Sequence, residues 1–314
     1  MHRRIVLRSL VLGLALVLLA GGAIGWYFRS THTRVITVPE TAAASPAPGA
    51  VPLPHPAHVV VVIEENKSFE QIVGNTEDAP YLNELAGRAA VYTRSYGITH
   101  PSQPNYFALF AGRINSDGDS CAVRGIPVGA DNLGAQLRRT NRTFVGYAEG
   151  MPTPGFRACI AGDYARKHAP WTHFTNIPDA AIQPFTAFPR DYAKLPALSF
   201  VVPDLQDDMH SASISHGDAW LRRNIDPLIR WAQNHDTLVI VTWDESSAAL
   251  SNHIPTLFAG AVVRPGRYDQ VITHYDVLRT LEDLYGLPHA GAAASAHPVT
   301  QGWSAPRAPA PRRV

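Results

Sequence analysis

A chain of 314 residues that is 46% hydrophobic and 17% charged has enough apolar side chains for one large folded domain, which excludes a disordered protein. Its formal net charge of +1 gives no bulk electrostatic case for a nucleic acid partner. Met1-His2-Arg3-Arg4 and Arg8 precede an apolar run over residues 10–28, about the 20 residues that span a bilayer. Two readings follow for residues 1–30. One is a retained membrane anchor with everything after Arg29 outside the cytoplasm. The other is a signal peptide cleaved near Gly21-Gly22-Ala23 or Ala42-Ala43-Ala44. The length of the run favours the anchor, and both readings export the domain.

Residues 31–57 are rich in Pro, Ala and Thr and read as a semi-rigid tether. The continuous β-branched run His58-Val59-Val60-Val61-Val62-Ile63 reads as a strand buried on both faces. Residues 78–89 form an amphipathic helical pattern, and residues 143–148, 198–202 and 237–242 are further buried-strand candidates. Ser215 followed by Asp218 has capping-box spacing, opening a helix of about five turns through Trp220, Leu221, Ile225, Leu228, Ile229 and Trp231. Residues 254–263 offer another strand, and residues 275–285 a helix closed by Gly286 and Pro288. Residues 289–314 repeat the composition of the tether and are expected to be a flexible tail holding His289 and His297. Strands alternating with helices over residues 58–288 predict a three-layer α/β/α domain around a mostly parallel sheet. Cys121 and Cys159 form an even pair, which in an exported protein reads as a disulfide; two free thiols are the alternative.

Ligand sites in such sheets gather at the carboxyl ends of strands. The first strand runs into Glu64-Glu65-Asn66, the strand at 198–202 leads to Asp204 and then Asp207-Asp208-Met209-His210, and the strand at 237–242 runs into Asp244-Glu245. Any one such acid ends its strand simply because it meets water. Three on one edge point instead to a hard divalent cation, with His adding tolerance for zinc or manganese. His100-Pro101-Ser102-Gln103-Pro104-Asn105-Tyr106 reads as a turn entering a helix. Ser102 is there either an ordinary N-cap or a hydroxyl that faces an incoming phosphate at a helix N-terminus. No Gly-x-Ser-x-Gly elbow is present, which disfavours a serine hydrolase triad.

The segments Val62-Ile63-Glu64-Glu65-Asn66-Lys67-Ser68-Phe69, Thr99 to Tyr106, Thr242-Trp243-Asp244-Glu245, Asp207-Asp208-Met209-His210 and His274 to Thr280 together resemble the bacterial phosphoesterases of the acid phosphatase and phospholipase C type, within the alkaline phosphatase superfamily. The resemblance implies an alkaline phosphatase-like fold with a small cap region, and a metal-dependent phosphoester hydrolase. Ser102 matches the nucleophile that becomes transiently phosphorylated, and Glu65, Asn66, Ser102, Asp244 and Glu245 match the metal ligands. His210, His253, Asn105 and Asp208 match groups around the phosphate. One metal is favoured over two.

Glu64, on the opposite strand face from Glu65, keeps a structural reading, as does Asp218 as a cap. Lys67 is either a solvated charge or a phosphate contact. Residues 115–188, with many Gly, Pro and aromatic side chains, are expected to cap the site. The expected substrate is a phosphomonoester on a small molecule or lipid. A phospholipase C-like diesterase and a non-catalytic envelope binding protein are the alternatives, and no obligate protein partner is evident. No Cys/Ser-x-Pro-x-Arg segment suggests a sulfatase.

Overall fold

The computed structural model describes residues 53–247 and 251–304, so the predicted anchor and most of the tether lie outside the described residues. Among the described residues no helix is long and apolar enough to cross a membrane.

The elements in chain order are β1 (His58–Glu64), α1 (Phe69–Ile72), α2 (Pro80–Ala86), β2 (Ala90–Tyr96), α3 (Ser102–Ala111), α4 (Leu133–Arg139), β3 (Phe144–Ala148) and a small hairpin of β4 (Ile160–Ala161) and β5 (Tyr164–Ala165). After it come β6 (Ile182–Pro184), β7 (Leu198–Val202), α5 (Ile214–Asn224), α6 (Asp226–Ala232), β8 (Thr237–Trp243), β9 (Thr256–Ala259), β10 (Gly266–Thr273) and α7 (His274–Tyr285). The main sheet has eight strands in the order β10-β2-β9-β8-β1-β7-β3-β6. Every strand but β9 runs parallel, so the predicted α/β class with a mostly parallel sheet is what the chain adopts.

Strand alternation sorts the core into two layers. Val59, Val61 and Ile63 face α3, α4 and α7, where Phe107, Phe110, Leu137, Leu278 and Leu281 are buried. Val60 and Val62 face α2, α5 and α6 with Tyr81, Leu85, Trp220, Leu221 and Ile229. β1 sits between β8 and β7, so the ends of all three deliver their acids to neighbouring places on one edge.

Several expectations change. The helical pattern of 78–89 shortens to Pro80–Ala86, and the strand of 254–263 shortens to Thr256–Ala259. The single long helix after Ser215 is two, α5 and α6, meeting at Ile225 with Pro227 in the first turn of α6, where a proline is tolerated. Its N-cap is Ser213, whose hydroxyl accepts from His216 N. Asp218 caps another helix: its carboxylate accepts from Tyr81 N at 3.0 Å and Leu82 N at 2.8 Å, the unpaired first-turn donors of α2.

The tail also departs from expectation. Residues 289–304 fold back onto the domain, burying Ala293, Val299 and Trp303. Ala292 N donates to Gly112 O at 2.8 Å where α3 ends in the left-handed conformation at Gly112. A Cβ on Gly112 would stand 2.0 Å from Ala290 O, so glycine is required there for both φ and space. Residues 115–188 are likewise not a separate cap, since α4, β3 and β6 belong to the domain itself. The portions that reach the site are the loop around Asp119 and the hairpin leading to Arg166–His168, joined by the Cys121–Cys159 disulfide.

Candidate active site

Ser102 is the first residue of α3 and is not its cap. The N-cap position is Pro101, which offers no side-chain acceptor, and the Ser102 hydroxyl points away from the backbone. Its Oγ donates toward Glu65 Oε2 at 3.0 Å and lies 3.4 Å from Glu245 Oε1. The neighbouring N–H of Gln103 is satisfied by Asp119 Oδ1 at 2.9 Å, from the loop held by the disulfide. The hydroxyl is 98% buried in protein, yet only carboxylates receive it.

Glu65 is the centre of the arrangement. Its Oε2 also accepts from Asn66 Nδ2 at 2.6 Å, while its Oε1 accepts from Tyr106 OH at 2.5 Å and lies 3.0 Å from His168 Nε2. Asn66 holds a left-handed backbone, φ 51°, a conformation asparagine tolerates better than most residues. Its N–H thereby donates to Asp244 Oδ1 at 3.1 Å. Asp208 brings Oδ2 to 3.3 Å from His168 Nδ1, and Glu65, His168 and Asp208 each offer a ligand atom within 4.8 Å of the others. Met209 follows with φ 74°, which directs Asp208 inward and leaves its own carbonyl to Lys67 Nζ at 2.6 Å.

The electrostatics are unfavourable as they stand. Burial, then the Asp244 and Asp208 charges, push the Glu65 carboxyl well up, and burial followed by Glu245 does the same to Asp244. Asp208 is pushed up to about 7, chiefly by burial. Asp244 Oδ2, Asp208 Oδ2 and His168 Nε2 are buried with no aligned hydrogen-bond partner. Burial also pushes the His168 imidazole down to about 3, keeping it neutral with a lone pair to give. Orphaned oxygens, crowded carboxylates and a neutral imidazole are what a divalent cation requires of its donors, so these residues fit one.

The rim carries the opposite charge. Lys67 and Lys167 approach this acidic floor, with Lys167 Nζ held by Asp119 Oδ2 at 2.7 Å. His100 Nδ1 lies 2.9 Å from Glu245 Oε2, and the exposed His210 ring tilts against that of His168 at 5.9 Å.

Of the predicted residues, Glu65, Asn66, Ser102, Asp208, Asp244 and Glu245 come together, with His210 at the rim. Two do not serve as expected. His253 is outside the pocket: it stacks on Phe69 and spends its nitrogens on Glu70 Oε1 and Thr93 O, 2.8 and 3.0 Å away. Asn105 lies one turn beyond Ser102, but its amide is consumed by Ile98 N, Thr99 N and Thr99 O, which shape the turn before α3. His168 is the residue sequence reasoning missed. It sits in a single turn, Arg166–His168, with no acidic neighbours in sequence, and only the chain path through the hairpin brings it to Glu65.

The family model described as the phosphoesterase family matches residues 75–288. This chain belongs to that family. As a phosphoesterase it is a hydrolase acting on phosphate esters, in accord with its relatives. It is 47% identical over 266 residues to the phosphatidylinositol-3-phosphatase of Mycobacterium tuberculosis, covering 81% of this chain and 88% of that protein. It is 30% identical to the acid phosphatase of Aspergillus fumigatus over 80% of this chain but only 61% of that protein. Among solved structures, a protein of the alkaline phosphatase superfamily from Vibrio parahaemolyticus superimposes with TM-score 0.55 at 15% identity, over 78% of this chain and 74% of that one. The phosphoesterase fold is thus that of the alkaline phosphatase superfamily.

Proposed function

We propose that this phosphoesterase is a metal-dependent phosphomonoesterase that attacks through Ser102, forms a phosphoserine and acts outside the cytoplasm on a phosphate carried by a small molecule or lipid headgroup. The observation that carries the reading is the buried Ser102 hydroxyl at the start of α3, directed at Glu65 and Glu245 and not at its own helix. Both relatives named above are phosphomonoesterases by name, which supports monoesters over diesters. The disulfide supports an oxidising compartment.

Glu65, Asn66, Asp244 and Glu245 with Ser102 would hold the cation, and Glu65, His168 and Asp208 form an adjoining donor group. When bound, the cation supplies a Lewis acid that lowers the serine pKa and neutralises phosphoryl charge. The rest falls to the chain. Ser102 Oγ gives its proton toward Glu65 or Glu245 and attacks phosphorus in line, and the bond from phosphorus to the leaving oxygen breaks. That oxygen takes a proton from His210 or water at the rim. Water then attacks the phosphoserine, and the bond from Oγ to phosphorus breaks to release phosphate. Lys67 and Lys167 face the phosphate oxygens, and the catalysis is mainly positioning and charge stabilisation.

Ser102→Ala is expected to lower p-nitrophenyl phosphate turnover by on the order of 10⁴ or more, with thermal unfolding little changed. A variant with wild-type turnover would remove the nucleophile assignment. Metal-stripped protein, assayed on mono- and diesters with single cations added back, is expected to recover monoester hydrolysis first. Full activity in chelator would sink the metal dependence.

A further inference from the structure

The family chemistry uses one face of the β1 terminus. The other face carries a second group of acids. Glu149 follows β3, Asp204 and Asp207 follow β7, and each of the three brings a carboxylate oxygen within 4.8 Å of the others. Glu149 Oε1 accepts from Trp220 Nε1 at 3.0 Å, and Asp207 is paired with His216 at 2.9 Å. These contacts leave most carboxylate lone pairs unused. All three are partly open to solvent.

A cluster of surface acids alone means little. Glu64 is what distinguishes this one. Its side chain is fully buried and neither carboxylate oxygen has a hydrogen-bond partner. Strand alternation puts it on the face of Val60 and Val62, away from Glu65. The parallel registers pair Val62 with Val201 and Ala148 with Val202. One step further, Glu64, Pro203 and Glu149 stand abreast, so the orphaned carboxylate lies on the side where Glu149, Asp204 and Asp207 converge. It feels the charges of both Asp207 and Glu149. A charged group buried without a partner costs several kcal/mol unless something opposite in sign is supplied.

We propose that Glu149, Asp204 and Asp207, with Glu64 behind them, bind a hard divalent cation of the calcium class at a site separate from the catalytic pocket. All donors are oxygens from carboxylates on flexible loops, the ligand type and adaptability that calcium accepts and magnesium does not favour. The site would pin the segment 204–208. Asp207 points to this cation and the next residue, Asp208, to the catalytic pocket beside His168. Occupancy therefore fixes the position of a catalytic-side acid without touching substrate.

The test uses chelator-treated full-length protein and terbium, an ion that replaces calcium and luminesces when an adjacent tryptophan is excited. Trp220 is in contact with Glu149 and serves as that antenna. Sensitised emission that calcium competes away is expected in wild type and in Asp244→Asn. It is expected to fall at least tenfold in the pair Glu149→Gln with Asp207→Asn, checked for folding by circular dichroism. If the pair does not fold, Asp204→Asn, which keeps its acceptor oxygen for Gln206 N and Asp207 N, is expected to weaken calcium competition about tenfold. Emission unchanged in these variants, or lost in Asp244→Asn alone, would overturn the proposal. Turnover plays no part in the readout, so failure of the phosphatase reading leaves this one standing.

Discussion

Helices α3 and α7 pack on each other beneath the same sheet face, yet their first turns are built differently. At α7, Thr273 and Asp276 form a reciprocal capping box, with Thr273 N donating to Asp276 Oδ2 at 2.7 Å, and Gly286 closes the helix in the left-handed conformation. Its side-chain oxygens are spent on its own backbone. At α3 the N-cap residue contributes no side-chain bond, all ten residues are buried, and the one hydroxyl available at the start turns toward Glu65 and Glu245. The capping that α3 does receive arrives from Asp119, on a loop stitched by a disulfide. A helix that serves stability caps itself. One that serves chemistry leaves that oxygen free and borrows its cap from elsewhere.

The contrast breaks if changes at α3 cost only stability, or changes at α7 cost rate. The largest effect is expected from Asp244→Asn, which removes a charge facing the start of α3: kcat on p-nitrophenyl phosphate should fall by on the order of a thousandfold, while the unfolding midpoint holds or rises. Relief of crowding by Glu245 explains the second half of that expectation. Next comes the pair Cys121→Ser with Cys159→Ser. Opening a loop with sequence separation 38 is expected to cost about 4 kcal/mol by chain entropy, read by urea unfolding. A lower kcat in the folded variant would show Asp119 no longer seating α3.

Glu282, buried in α7, is a smaller test with a sign. Burial pushes its carboxyl up to about 7. A raised acid contributes stability below its unfolded pKa and loses it as pH rises through the folded one, so wild type should weaken between pH 5 and pH 8. Glu282→Gln keeps an acceptor for Ala290 N and should gain on the order of 1–2 kcal/mol at pH 8 and much less at pH 5, with kcat unchanged. The smallest effect belongs to Asp276→Ala, about 1 kcal/mol from the lost cap and no change in rate. Equal gains for Glu282→Gln at both pH values would remove the buried-acid reading.

The sheet was legible because buried parallel strands write themselves as uninterrupted apolar runs, and Glu65, Asp208, Asp244 and Glu245 because acids follow those runs directly. What failed was everything set by contacts distant in sequence. Asp218 looked like the cap of its own helix, while its partners at Tyr81 and Leu82 stand 137 and 136 residues away. His168 has no local pattern at all. His253 shares the residue type of a phosphate ligand, but stacking on Phe69 and Tyr96 decides its place. The Ala-rich composition after Pro288 suggested looseness, and the buried Val299 and Trp303 were the signal against it.

That last segment has a practical consequence at the other end of α3. The family match stops at residue 288, the natural place to trim the protein for expression. Cutting there would remove Ala290 and Ala292, which meet Gly112 backbone to backbone where α3 ends. The ten-residue helix carrying Ser102 would lose its far anchor about 15 Å from the hydroxyl. A shortened protein of that kind should fold with an untethered nucleophile, and a weak preparation would then report on where it was cut.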